Sequence, residues 1–111
     1  MELQGIKRGN ELIIALAGEL DHHCAESVRD KLDALLDDPK VRLLTLDMHR
    51  LTFMDSSGVG VLIGRYKLMR QKNGRVRVRN VNAQIERVMQ VSGLYQIIER
   101  CDAPARARAG R

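Results

Sequence analysis

Two hydrophobic periods alternate along this chain, and that alternation narrows the fold more than any other feature. Apolar residues at every second position favour a strand, and spacing of three and four favours an amphipathic helix. Leu3–Lys7 and Glu11–Ala17 (ELIIALA) read as strands joined by the turn Arg8-Gly9-Asn10, with Gly18 closing the second. They predict an antiparallel hairpin. Cys24–Leu36 puts Ala25, Val28, Leu32, Leu35 and Leu36 on one stripe, and Asp37-Asp38-Pro39 ends it. Val41–Met48 (VRLLTLDM) predicts a strand, with residues 50–54 leading out of it. Ser57–Gln71 predicts a second helix, with Val61, Leu62, Tyr66, Leu68 and Met69 apolar and Arg65, Lys67, Arg70 and Lys72 mostly outside. Asn73-Gly74 stops it. Arg75–Val81 (RVRVRNV) alternates as a strand buried on one face. Asn82 caps a third helix, Ala83–Val91, with Ile85, Val88 and Met89 inward. Ser92-Gly93 ends that helix, and Tyr95–Glu99 predicts a last short strand.

The order β-β-α-β-α-β-α-β with short links implies parallel strands and right-handed crossovers after the hairpin. If each strand lies beside its predecessor, every helix falls on the same face of the sheet. Arg75, Arg77 and Arg79 alternating with Val76, Val78 and Val81 support that picture, since a strand covered on both faces is apolar throughout. The expectation is a single-domain α/β fold with a mixed, mostly parallel sheet and helices packed on one face.

Size and charge exclude several function classes. A chain of 111 residues forms one domain, and 44% hydrophobic with 30% charged residues is a globular balance. No apolar run approaches the roughly 20 residues of a membrane span, and Met1-Glu2-Leu3-Gln4-Gly5 lacks a signal-peptide layout. A cytoplasmic, monomeric protein is expected, with Cys24 and Cys101 as free thiols. His22, His23 and His49 show no ligand spacing with the cysteines, so neither metal nor cofactor is expected. The net charge of +5 includes two positive charges from Arg106, Arg108 and Arg111 set against Asp102. The aromatics Phe53, Tyr66 and Tyr95 are scattered, so no nucleic-acid surface is expected. Residues 1–100 form the domain; residues 101–111 form a basic Ala/Arg-rich tail with no large apolar side chain, expected to fray.

Chemistry concentrates in Phe53-Met54-Asp55-Ser56-Ser57-Gly58-Val59-Gly60, where a strand exit enters a helix. Helix N-termini expose unpaired N–H groups and carry about half a positive charge, so an anion on Ser56 or Ser57 is stabilised there. Gly58 and Gly60 leave room for a partner's backbone or a phosphate to approach. Plain helix capping explains Asp-Ser-Ser-Gly equally well. A nucleophile elbow is absent, because Met54 stands where its first glycine belongs. Gly58, Gly60 and Gly64 fit neither phosphate-loop pattern; Gly60 and Gly64, four apart, suggest close packing of the helix on the sheet. Gly18-Glu19-Leu20-Asp21-His22-His23 lies at the same end of the sheet. Asp21 either turns the chain into the first helix or belongs to a docking loop beside the serine.

These two stretches, together with Gly64-Arg65-Tyr66-Lys67, closely resemble the STAS-domain anti-sigma factor antagonists. Asp21-His22-His23 and Gly64-Arg65-Tyr66-Lys67 are similar to the sporulation branch that regulates sigma-F, and Ser92-Gly93-Leu94 fits the family's third-helix exit. The resemblance covers about residues 1–100 in one order. It implies a binding switch and no enzyme. The unphosphorylated form would bind an anti-sigma factor that is also a serine kinase, in its ATP- or ADP-bound state, and so free the sigma factor. The kinase would phosphorylate Ser56, releasing the partner, and a PP2C-type phosphatase would reset the serine. The implied binding residues are Asp21, Asp55, Ser56, Ser57, Gly58 and Gly60. The Ala/Arg tail departs from the short apolar helix that commonly closes the family. The competing readings are a STAS scaffold or transporter regulator without a phosphorylation switch, and a small hydrolase.

Overall fold

The predicted hairpin forms from β1 (Glu2–Arg8) and β2 (Glu11–Leu20), antiparallel in the register Leu3↔Leu16 and Lys7↔Leu12. The structure, a computed structural model, describes residues 1–101; the expectation that the tail frays falls on residues 102–111, outside the described residues. The chain continues through α1 (Ala25–Leu36), β3 (Leu43–Met54), α2 (Ser56–Gln71), β4 (Arg75–Arg79), α3 (Ala83–Val91) and β5 (Glu99–Arg100). The five strands lie in the order β1-β2-β3-β4-β5, and every pair after the first is parallel. Sequence neighbours are sheet neighbours, which places each crossover helix on one face.

Alternation along the strands sorts the two faces. Leu12, Ile14 and Leu16 of β2, Leu44, Leu46 and Met48 of β3, and Val76 and Val78 of β4 are buried. They meet Val28, Leu32 and Leu36 of α1, Val61, Leu62 and Met69 of α2, and Ile85 and Met89 of α3 in one core. Each such side chain stabilises the fold by about 1.5–3 kcal/mol through burial. Among the described residues no helix covers the other face, which carries charge ladders. Glu11 accepts from the Thr45 hydroxyl at 2.6 Å and from Arg77 at 3.3 Å. Asp47 accepts from Arg79 at 3.1 Å and from Asn80 at 3.2 Å. The Thr45 bond, then Arg77 and Arg79, hold the Glu11 carboxyl below the usual range against the opposing effect of burial.

Four expectations change. The segment expected as a last strand at Tyr95–Glu99 begins as a 3₁₀ turn, Leu94–Gln96, and only Glu99–Arg100 pair with β4. Gly93 adopts φ 79°, and the tight turn after it buries both Leu94 and Ile98. The third strand reaches Met54, well past Met48. Leu35 remains 43% exposed in the last turn of α1, at the rim of the stripe formed by Val28, Leu32 and Leu36. Arg65, expected outside, is 8% exposed. It lies four residues after Val61 and three after Leu62, on the buried stripe, and its Nε sits 3.2 Å from Asp33 of α1.

Lys72, at the end of α2, ties the two central helices together. Its ammonium donates to the Leu36 carbonyl at 2.7 Å and the Asp38 carbonyl at 2.9 Å, closing the C-terminus of α1. Cations favour helix C-termini, and these carbonyls have no intrahelical donor. Lys72→Met keeps the aliphatic stem and removes both bonds. It is expected to lower stability by about 1–2 kcal/mol in urea unfolding without changing the slope of the transition.

Candidate functional site

Register places the two polar stretches side by side. Leu20 pairs with Met54 at the carboxyl ends of β2 and β3, so the loops after them leave the sheet together. The Asp55 N–H donates to the Leu20 carbonyl at 3.3 Å. Asp55 is the N-cap of α2, with an extended backbone at φ −103° and ψ −169°. Its Oδ1 accepts from Ser57 N–H at 2.9 Å and Gly58 N–H at 3.1 Å. Its Oδ2 accepts from His22 N–H at 3.1 Å, with His22 Nδ1 at 3.7 Å. Partial burial pushes this carboxyl up. The N–H bonds from Gly58, His22 and Ser57 and the His22 ring outweigh that effect and hold it below the usual carboxylate range.

Ser56 follows as the first residue of α2 and is exposed. Ser57 is half-buried and donates its N–H to the cap. Gly58 is buried for a steric reason. A Cβ there would stand 2.6 Å from the Leu20 carbonyl oxygen and 2.7 Å from Met54 Cγ. Gly60 is exposed, and neither Gly60 nor Gly64 has a neighbour within 4 Å of where a Cβ would sit. The expected packing of Gly60 and Gly64 against the sheet is therefore corrected: Gly58 makes that approach, and the Cβ positions of the exposed Gly60 and the half-buried Gly64 meet open space.

Asp21 is half-buried and shapes its own turn. Its Oδ1 accepts from His23 N–H at 3.0 Å, and its carbonyl accepts from Ala25 N–H at 2.9 Å. Cys24 precedes α1, and its thiol donates to the Glu19 carbonyl at 3.1 Å. Asp21 reaches the serine segment only through its neighbour His22. Among the described residues, no three His, Cys, Asp or Glu side chains converge to hold a metal ion.

One feature of the site was not read from the sequence. Met54, Asp55, Ser56, Val59, Arg87 and Val91 border a groove of about 390 Å³ between the start of α2 and α3. Val91 is 80% exposed at its rim. The signal was the second apolar stripe of α3, Val88 and Val91, three apart and off the line of Ile85 and Met89.

Two outcomes follow from this geometry. Gly58→Ala forces the Cβ into the Leu20 carbonyl and is expected to lower stability by about 1–3 kcal/mol, measured by chemical unfolding. Asp55→Asn removes a carboxylate whose folded form resists protonation. The stability it supplies is present above the unfolded carboxyl range and lost as pH falls below about 4. The acid limb of a stability profile between pH 7 and 2 should therefore be shallower in Asp55→Asn than in the wild type.

Comparison with known proteins gives the family. The STAS domain model matches residues 2–107. The chain is 44% identical over 87 residues to the anti-sigma F factor antagonist of Paenibacillus polymyxa, covering 78% of this chain and 74% of that protein. It is 39% identical over 83 residues to that of Lysinibacillus sphaericus, covering 75% and 71%. Among solved structures, it resembles the anti-sigma factor antagonist SpoIIAA in its unphosphorylated form, with TM-score 0.71 and 30% identity over 99% of this chain and 96% of that one. The phosphorylated form of the Bacillus cell fate determinant SpoIIAA matches with TM-score 0.70 and 31% identity over 99% and 100%. The one-sided five-stranded sheet, with its capped serine at the exit of β3, belongs to the STAS domain family.

Proposed function

We propose that the protein is an anti-sigma factor antagonist switched by phosphorylation of Ser56. The unphosphorylated form binds an anti-sigma factor that is also a serine kinase, in its ATP- or ADP-bound state, and releases a sporulation sigma factor. Phosphorylation ends the complex, and a PP2C-type phosphatase restores the binding form. The observation that carries this reading is the exposed Ser56 at the first position of α2, beside a fully engaged cap and at the mouth of an apolar groove. The antagonists and the two SpoIIAA forms that the chain resembles supply the partner class.

Charge explains how one residue operates the switch. A phosphate adds about −1.5 to −2 charge at neutral pH. Free in solution, that charge is tolerated at the N-terminus of α2, where the helix dipole favours anions. In the complex it must be desolvated next to the Asp55 carboxylate and against the partner's surface. A change of about 3 kcal/mol alters affinity more than a hundredfold, so no refolding is required. The binding surface comprises Asp21, Asp55, Ser56, Ser57 and Gly60, with Met54, Val59 and Val88 as its apolar floor. Gly58 supports this surface by letting α2 approach β2.

The decisive experiment is intact mass after incubation with the anti-sigma kinase of the same organism, Mg²⁺ and ATP. Wild type should gain one phosphate and Ser56→Ala none. No phosphate on wild type with a demonstrably active kinase would leave a passive STAS scaffold. Gly60 gives an independent check. An exposed helical glycine costs about 0.5–1 kcal/mol relative to alanine, and a Cβ here meets nothing within 4 Å. Gly60→Ala should raise the thermal midpoint while weakening kinase binding about tenfold by calorimetry, a separation that a purely structural residue cannot produce.

A further inference from the structure

The two edges of the sheet differ. β5 contributes only Glu99–Arg100, whereas β1 presents all of Glu2–Arg8, with β2 on one side and no strand on the other among the described residues. An open edge leaves a row of main-chain N–H and C=O groups able to pair with another strand. Proline and bulges commonly blunt such an edge. β1 has neither: it contains no proline, and its register against β2 runs unbroken from Glu2↔Ala17 to Arg8↔Glu11. Lysine is another common guard, but Lys7 is taken up in an ion pair with Asp38.

We propose that β1 is a homodimer interface, at which two copies of this chain pair antiparallel about a two-fold axis between their Gly5 residues. The occupant follows from the strand's own charge pattern. Full-length antiparallel self-pairing sets Glu2 opposite Arg8 of the second copy, and Arg8 opposite its Glu2. Leu3 then opposes Lys7, and Gln4 opposes Ile6. Glu2 and Arg8 are exposed, and neither has an ion pair or side-chain hydrogen bond among the described residues. Opposite charges facing each other across two strands stabilise the pair, and like charges destabilise it. This register joins positions of like parity. Outward N–H and C=O groups therefore meet outward groups, and the two open faces lie on one side.

The open face continues across the seam in both charge and apolar surface. Within one chain, Arg8 pairs in register with Glu11, which accepts from Arg77. Glu2 of the second copy extends that row, so the signs alternate from Arg77 through Glu11 and Arg8 to that glutamate. Ile6 is 59% exposed and pairs with the half-buried Ile13. The two Ile6 side chains become diagonal neighbours beside the axis, about 7–8 Å apart, and shield each other from water. One strand of seven residues meeting its copy makes a small interface, in the class of weak, reversible contacts. β2 separates the seam from β3, the strand that leads to Ser56, so the dimer is independent of the function proposed above.

Sedimentation equilibrium of the full chain from about 10 μM to about 1 mM tests the proposal. The weight-average mass should rise from one chain towards two. Glu2→Arg and Arg8→Glu each set like charges opposite one another at both ends of the seam, and each alone should weaken association about tenfold. An equimolar mixture of the two variants restores opposite charges in trans and should recover association. Ile6→Thr keeps a β-branched side chain and removes the apolar contact; it should weaken association about threefold. Urea unfolding of each variant at the dilute end verifies that the fold is retained. A wild type that stays monomeric throughout, charge variants that associate as wild type does, or a mixture that fails to recover overturns the proposal, and an unchanged constant in Ile6→Thr overturns the isoleucine contact.

Discussion

The Asp55 carboxylate meets two demands, and the functional end of the molecule depends on its meeting both. The first turn of α2 has N–H groups with no intrahelical acceptor, and Oδ1 receives two of them. The loop leaving β2 has to be held over that turn, and Oδ2 receives the N–H of His22. One side chain thus caps the helix that bears Ser56 and anchors the loop that bears Asp21. The result is an exposed hydroxyl at the first position of α2, on a backbone held from both sides.

The sheet supplies the geometry for that double role. Parallel pairing of β2 and β3 brings their carboxyl ends to one edge, with Leu20 opposite Met54. Gly58 lets α2 descend onto that edge, since any Cβ there would strike the Leu20 carbonyl. Lys72 fixes the far end of α2 to the last carbonyls of α1, and Arg65 meets Asp33 between them. The helix that begins at Ser56 is therefore held at its start, middle and end.

Glycine spacing misled where it counted only residues. Gly60 and Gly64 share a face by their four-residue separation, and that face does not press against the sheet. Gly58, two residues earlier, makes the close approach. Arg65 misled in the same way. Its charge suggests the outside, yet its position on the stripe of Val61 and Leu62 puts it under cover with Asp33 as partner. Residue type sets a preference for exposure, and the rotation of the packed helix overrides it. The α2–α3 groove was hidden for a related reason: Met54, Val59 and Val91 belong to three elements whose adjacency no local pattern records.

The sequence by itself determined the strand and helix order, the one-sided sheet, the caps at Asp55 and Asn82 and the polar strand-to-helix stretch around Ser56. These follow from short-range physics: hydrophobic period, capping chemistry and turn residues act within a few positions along the chain. Only the tertiary structure decided that Asp55 reaches His22, 33 residues away. It also decided which glycine touches the sheet and whether residues 95–98 pair or turn. Those outcomes depend on the register of β2 against β3 and on how each helix is rotated over the core. Both are set when the buried side chains of distant segments close-pack against one another, and no single segment carries that information.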